Sequence, residues 1–364
     1  MANLFIGVMS GTSLDGIDVA LCRFDKGCEL IATHFLPYPA GVKLALLALH
    51  SPTENELEAS ILLGIQLAKL YADAVNALLK AAKKNASEIT AIGCHGQTIR
   101  HRPALGFTLQ IGNNALLAEL TNITVVGDFR SRDIAAGGQG APLVPAFHQA
   151  LFGDSSKNRA IVNIGGFANI TYLNKSGAVL GFDTGPGNAL MDYWTKLHTN
   201  QDYDKNGDWA RTGELVGSVL DAMLAEPYFA LPPPKSTGRD LFNPHWLQQH
   251  KLYPHLKPQD MARTLTMLTA QTIADVILTE ANDTDEIYIC GGGAHNGLLI
   301  ETLNDCLGGN APIHKTDALG VGVDWVEAAA FAWLAKQTID NKPSNLPAAT
   351  GAKGLRILGA IYPK

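Results

Sequence analysis

Three short runs of glycine and small polar residues, each next to an apolar stretch of strand character, constrain this chain more than any other feature. They are Ser10-Gly11-Thr12-Ser13-Leu14-Asp15-Gly16 after LFIGVM, Asn163-Ile164-Gly165-Gly166-Phe167-Ala168-Asn169 within RAIVNIGGFANITYL, and Gly291-Gly292-Gly293-Ala294-His295-Asn296-Gly297 after EIYIC. Glycine permits tight turns whose amides face a phosphate, or lets a flat ligand lie against the backbone. Each run also has a plain reading, as a hairpin loop, a β-turn or a helix start. None ends in Gly-Lys-Ser/Thr, so none is a Walker A loop. The third lies far down the chain, with Asn296 where a dinucleotide loop needs its last glycine, which disfavours a dinucleotide site.

The elements around these runs suggest two units with a similar start. Residues 4–9 and 17–24 read as a hairpin, with a third strand near Leu30 to Phe35. A long helix follows, opened by a Thr53/Glu56 capping box and carrying an apolar stripe at Leu57, Ile61, Ile65, Ala68, Ala72, Val75 and Leu79. Lys83, Lys84 and Asn85 suit its C-terminal end. ITAIGCHGQTI reads as a strand running into a polar turn. RAIVNIGG and FANITYL form a second hairpin, ALMDYWTKL a helix, and DEIYICGGGAHNGLLIETL a strand, turn and helix. The closing GLRILGAIYP reads as a strand returning to the first unit. The Gly- and Pro-containing stretch 127–145 breaks periodicity and marks a boundary at its start. The expected domains are therefore 1–127 with 341–364, and 128–340.

Composition narrows the function. A length of 364 residues suits two cores, and 46% hydrophobic with 17% charged residues is globular. With 34 acidic and 28 basic residues the chain carries −6 and shows no basic stripe, which argues against nucleic acid. Five cysteines without a CxxC spacing argue against a disulfide framework or zinc site and fit a reducing cytosol. The N-terminus lacks a basic, apolar signal pattern, and no run of about 18 apolar residues suggests a membrane span.

Asp183, in Gly181-Phe182-Asp183-Thr184-Gly185-Pro186-Gly187-Asn188, follows an apolar strand end and precedes a helix that Asn188 can cap. A carboxylate so held suits a general base; its plain reading is an Asx turn. Arg130, with Arg132 and Asp133, sits at the expected junction and suits an anionic substrate or a structural ion pair. Glu327 is an isolated carboxylate in VEAAAFAWLA, at a wet helix edge or lining a pocket. His95 reads first as a satisfied core histidine, and Lys235 as a lid residue or a solvated loop cation.

Seven blocks in order resemble one family, the anhydro-N-acetylmuramic acid kinases of bacterial cell-wall recycling. They are VMSGTSLDGIDVAL, CHGQTIRH, GDFRSRDIAAGGQGAPLVP, IVNIGGFANIT, FDTGPGNALMD, PPKSTGRDLFN and ICGGGAHN, and they span nearly the whole chain. The resemblance implies an α/β, two-domain actin/Hsp70/hexokinase-like (ribonuclease H-like) fold with an interdomain cleft. It implies ATP held by Gly11, Thr12, Ser13, Leu14, Asp15, Gly16, Ile17 and Asp18, by Gly165, Gly166 and Asn169, and by Gly291, Gly292, Gly293 and Asn296. It implies Asp183 as the base that activates water at C1 of a 1,6-anhydro sugar, with Arg130 and Glu327 as substrate contacts. The product is N-acetylmuramic acid 6-phosphate with ADP, and a homodimer is implied. Phosphoryl transfer needs mainly positioning and charge neutralisation, which amide loops and Mg²⁺ supply; the metal ligands stay unassigned. The alternatives are a kinase of an ordinary sugar and an ATP-switched sugar-binding module on the same fold.

Overall fold

The computed structural model describes all residues except 1–2, 12, 26, 53 and 250–255, so Thr12 and the proposed Thr53 cap lie outside the described residues. The chain divides into two units, Met1–Leu151 with Trp325–Lys364, and Phe152–Asp324.

The first unit opens with strands β1 (Leu4–Met9), β2 (Gly16–Arg23) and β3 (Glu29–Pro37), a meander of antiparallel neighbours. Helix α1 (Glu56–Ala82) follows, then β4 (Ala91–Cys94), a two-stranded ribbon of β5 (Gln97–Arg102) and β6 (Phe107–Ile111), helix α2 (Asn114–Thr121) and β7 (Val125–Gly127). In the second unit β8 (Arg159–Ile164), β9 (Phe167–Leu173) and β10 (Val179–Pro186) form another antiparallel meander. Helices α3 (Asn188–Thr199) and α4 (Pro258–Glu280), strand β11 (Glu286–Cys290), helix α5 (Gly297–Leu307) and strand β12 (Ile313–Lys315) follow, with two short helices, Gly217–Leu224 and Pro244–Gln249, between α3 and α4. The chain then rejoins the first unit through α6 (Val326–Ile339) and β13 (Ala360–Tyr362), which pairs with β7.

The strand orders are β13-β7-β4-β1-β2-β3 and β10-β9-β8-β11-β12. In both units the first strand in chain order pairs antiparallel with the second and parallel with the fourth, β4 or β11. The same α/β winding is thus used twice, the duplicated ribonuclease H-like arrangement of actin, Hsp70 and hexokinase-like proteins. No periodic sequence repeat marks it, because the order of elements is shared while the residues differ.

The unit boundary falls later than the expected 127/128, and residues 325–340 belong with the first unit. Two contacts explain this. The Gly-containing stretch is stitched to the C-terminal segment: the fully buried Asp133 carboxylate accepts from the Gly140 amide (2.8 Å), Asn345 Nδ2 (2.9 Å) and Thr350 Oγ1 (2.8 Å). Helix α6, with Ala328, Ala329, Ala330, Ala332 and Ala335 buried, lies directly on β1 and β4. A methyl group at Gly7 or Gly93 would overlap the carbonyl oxygen of Ala328 or Phe331.

Helix α1 buries the expected stripe only from Ala68 onward: Ala68, Ala72, Val75 and Leu79 are buried, whereas Leu57 and Ile61 in the first turns are exposed, and Leu63, Leu67, Tyr71 and Leu78 widen the buried face. The helix is apolar on more than one side, so several stripes at 3.6-residue spacing compete, and contact with α2, β2 and β3 selects one. By length and composition α1 is also apolar enough to cross a membrane, contrary to the expectation from the sequence; half of the most apolar window is buried inside the protein.

Gly7→Ala is expected to lower stability by about 3 kcal/mol or more, at the upper end for overpacking, because the helix backbone cannot yield as a side chain can. Urea unfolding with an unchanged midpoint would rule out this close helix–sheet contact.

Candidate active site

In the first unit the loop between β1 and β2 is held from behind. Ser10, 1% exposed, shares a hydrogen bond with Tyr71 Oη (3.0 Å), and its Oγ lies 3.0 Å from the Gly96 carbonyl oxygen. Gln97 Nε2 donates to the Gly11 carbonyl (3.1 Å). Leu14 sits at φ +58° with its side chain buried, and Ile17 is fully buried, so these two offer a ligand only backbone. Asp15 is exposed and pairs with Lys43 at 3.4 Å. Ser13 is exposed, and Asp18 is half-buried on β2, opposite Met9.

The turn after β4 carries His95, which is buried as expected but does more than fill the core. Its Nε2 accepts from Arg130 Nε (3.2 Å) and Nη2 (2.9 Å), and Arg130 Nη1 donates to the Gly140 carbonyl (2.8 Å). Glu327 is part-buried in the first turn of α6. Burial pushes its carboxyl up, and the Arg130 charge opposes that. Arg130 and Glu327, far apart in sequence, are thus electrostatic neighbours.

In the second unit the Gly165-Gly166 turn is fastened to the start of α3: the Gly165 carbonyl accepts from the Asn188 amide (2.8 Å), and the Gly166 carbonyl from Gly187 and Ala189 (both 3.0 Å). Gly187 is the N-cap; Asn188 is the first helical residue, and its Nδ2 donates to the Ile164 carbonyl (3.2 Å) instead of capping. Asn163, Asn169 and Asp183 are direct partners across β8, β9 and β10, forming a polar row near the strand ends. The Asp183 carboxylate accepts from the Thr237 amide (3.0 Å). Its backbone is pinned as well, by donation to the Lys235 carbonyl (3.2 Å) and acceptance from Tyr228 Oη (2.7 Å). Burial first, and the Asp183 charge second, push the Tyr228 hydroxyl up, so it stays a donor.

Lys235 is not a solvated cation. It is buried, donates to the carbonyls of Tyr228 (3.3 Å) and Phe229 (3.0 Å), and lies 4.9 Å from the Tyr228 ring centroid. Burial lowers its pKa. It anchors the segment that presents Thr237 to Asp183. Sequence reading missed Thr237, Tyr228 and Asn163 as partners of this site. A polar residue within an apolar strand was the one available signal, at Asn163.

The third glycine turn splits by role. Gly291 at φ +80° ends β11, and a methyl group there would come within 2.8 Å of the Ile164 carbonyl oxygen; one at Gly293 would overlap the Ile164 side chain. Both are needed for packing. Gly292 is exposed, and its nearest neighbour to an added methyl is Asn188 Nδ2 at 3.6 Å. Gly11 and Gly165 are open in the same way, at 3.9 and 3.7 Å, whereas Gly16 is packed against β3. Asn296 caps α5, its Oδ1 accepting from the Leu299 amide (3.1 Å).

Each unit carries an open glycine beside a strand end, and the second also carries a carboxylate pinned by main-chain groups. Residues 3–364 match the anhydro-N-acetylmuramic acid kinase family. An anhydro-N-acetylmuramic acid kinase of Nitrosospira multiformis is 54% identical over 100% of this chain and 99% of its own length. One of Nitrosomonas europaea is 53% identical, covering 99% of both chains. The chain belongs to this family. Among solved structures, the activator of the 2-hydroxyisocaproyl-CoA dehydratase from Clostridium difficile with bound ADPNP aligns at 11% identity and a TM-score of 0.47, over 93% of this chain and 97% of that one.

Gly293→Ala is expected to lose about 1–3 kcal/mol by overpacking, and Gly292→Ala almost nothing. Thermal melts should separate them by several degrees; equal melting temperatures would erase the distinction between packed and open glycines.

Proposed function

We propose that this enzyme adds water across the 1,6-anhydro bridge of anhydro-N-acetylmuramic acid and transfers the γ-phosphoryl group of ATP to O6, giving N-acetylmuramic acid 6-phosphate and ADP in cell-wall recycling. The observation that carries this reading is the Asp183 carboxylate, set in line with Asn169 and held by the Thr237 amide. Full-length kinship with the named kinases supports the substrate.

The reaction needs one base. Asp183 takes a proton from water as the water oxygen bonds to C1. The C1–O6 bond breaks, its electron pair stays on O6, and O6 attacks the γ-phosphorus as ADP leaves. The proton on Asp183 then returns to solvent. Gly11, Thr12, Ser13, Leu14, Asp15, Gly16, Ile17 and Asp18, with Gly165, Gly166 and Asn169, are assigned to the phosphates. Gly291, Gly292, Gly293 and Asn296 are assigned to the adenosine. The open glycines Gly11, Gly165 and Gly292 support this, since the fold leaves space where a side chain would stand. Arg130 suits the lactyl carboxylate, and Glu327 suits the sugar hydroxyls.

Mg²⁺ would arrive with the nucleotide. Among the described residues no group of three or more His, Cys, Asp or Glu is placed to hold a metal. Such an ion would be carried on phosphate oxygens with one or two carboxylates, and Asp18, half-buried on β2, would supply one of them. When bound, the ion neutralises phosphate charge. A homodimer in the cytoplasm completes the proposal.

Run in ¹⁸O-labelled water and analysed promptly, the reaction should place label at C1 of the sugar phosphate and none in the phosphate. Label in phosphate would mean ATP hydrolysis; a sugar phosphate without label would mean an ordinary hydroxyl acceptor and defeat the anhydro-sugar reading. Asp183→Asn should lower turnover by about 10² or more while ATP still binds. Near wild-type turnover would remove Asp183 from the base role.

A further inference from the structure

We infer that His95 is a positioning residue: it sets the orientation of the Arg130 guanidinium and ties it to the glycine loop after β1. This inference rests on the assignment of Arg130 to the sugar.

Each ring nitrogen of His95 faces a partner with one possible role. Nδ1 lies 3.3 Å from the Ser10 carbonyl oxygen, which can only accept, so Nδ1 carries the hydrogen. Nε2 therefore presents its lone pair, and it faces two donors of Arg130, Nε at 3.2 Å and Nη2 at 2.9 Å. The tautomer is fixed from both sides. Burial, seconded by the Arg130 charge, pushes the imidazole down to about 3, so it stays neutral at working pH. The ring packs at a tilt of 52° against Phe331, 4.8 Å away between centroids, which itself packs on Phe129 at 5.5 Å.

The Gly140 carbonyl and the His95 ring fix the direction of the guanidinium as neutral acceptors, while the nearby Glu327 carboxylate acts on it as a charge. Meanwhile the same turn grips the glycine loop at three points. His95 donates to the Ser10 carbonyl, Gly96 faces Ser10 Oγ with its carbonyl, and Gln97 donates to the Gly11 carbonyl. Gly96 makes this possible at φ +73°, with no room for a side chain beside the Ile111 carbonyl. The turn Cys94–Gln97 is therefore a rigid bridge from the loop assigned to phosphate to the arginine assigned to sugar.

Two substitutions separate the two jobs of the ring. His95→Asn places an amide NH₂ near the Nδ1 position, so it keeps the donor to Ser10 and loses the acceptor for Arg130. His95→Gln reaches the Nε2 position with its carbonyl oxygen and restores that acceptor. H95N is expected to raise KM for the anhydro sugar about tenfold or more, the scale of one hydrogen bond to a charged group, with KM for ATP near wild type, while the ring's lost packing on Phe331 lowers the melting temperature in H95N and H95Q alike. H95Q should recover most of the loss in sugar KM. In an Arg130→Ala background H95N should add nothing further, because the path of its effect is already gone. Slow exchange of the Arg130 Nε–H proton with water, followed by NMR, should be present in the wild type and lost in H95N.

Additive losses in the double variant, equal losses in sugar KM in H95N and H95Q, or unchanged sugar KM in H95N would each overturn the inference. A wild-type enzyme that leaves the anhydro sugar untouched would overturn the activity reading alone. The exchange of the Arg130 proton would still decide the positioning role, since it needs no turnover.

Discussion

The close approach of helix α6 to strands β1 and β4 is the contact on which the first unit's site depends. It exists because Gly7 and Gly93 carry no side chain and because the facing helix surface is built of alanine. Helix and sheet then meet backbone to backbone, and dispersion contacts accumulate along the seam. The consequence is positional. Glu327, in the first turn of α6, is set beside Arg130, and Phe331, one turn on, is pressed against His95 and Phe129. A bulkier seam would move all of these together, since a helix shifts as a rigid element.

The second unit solves the same problem with the sheet itself. Asp183 is placed by strand register, not by a flexible loop: β8, β9 and β10 bring Asn163, Asn169 and Asp183 to one level. The segment around Lys235 then closes on it. Lys235 contributes by being inaccessible; its ammonium is spent on the carbonyls of Tyr228 and Phe229, which fixes the chain that offers the Thr237 amide. A buried lysine is tolerated there because carbonyl oxygens and an aromatic face surround it.

Features that follow from local backbone rules were legible in the sequence. The glycine runs had to be turns, and the strands beside them, the first meander, the β8–β9 hairpin and the returning β13 were readable from apolar alternation and turn formers, whereas β10 runs on through the Asp183 stretch that reads as a turn. What stayed hidden depends on distant partners. The buried face of α1 is chosen by its neighbours, because its sequence offers more than one apolar stripe. The stretch 127–145 looks like a linker until Asp133 is seen tied to Asn345 and Thr350, more than 200 residues away, through hydrogen bonds separated by 212 and 217 positions. Asn188 reads as a cap, yet tertiary contact with Ile164 takes its amide, and Gly187 serves as the N-cap residue.

Glycine is the residue whose meaning the sequence could least resolve, and space around it resolves that meaning physically. A glycine whose added methyl would strike backbone, as at Gly7, Gly16 and Gly93, or a buried side chain, as at Gly293, is explained by packing alone. Gly291 is doubly explained, by packing and by its φ of +80°. Gly11, Gly165 and Gly292 have neither reason: their φ values are not in the left-handed region, and nothing in the chain lies within 3.5 Å of an added methyl. Glycine in an ordered turn costs conformational entropy, so its presence without a fold requirement points to something outside the chain that must come close. Gly41 and Gly217 are equally open, so openness alone names no ligand; Gly11, Gly165 and Gly292 differ in falling one in each glycine run, beside strand ends. The packed glycines build the turns, and the open ones leave them uncovered.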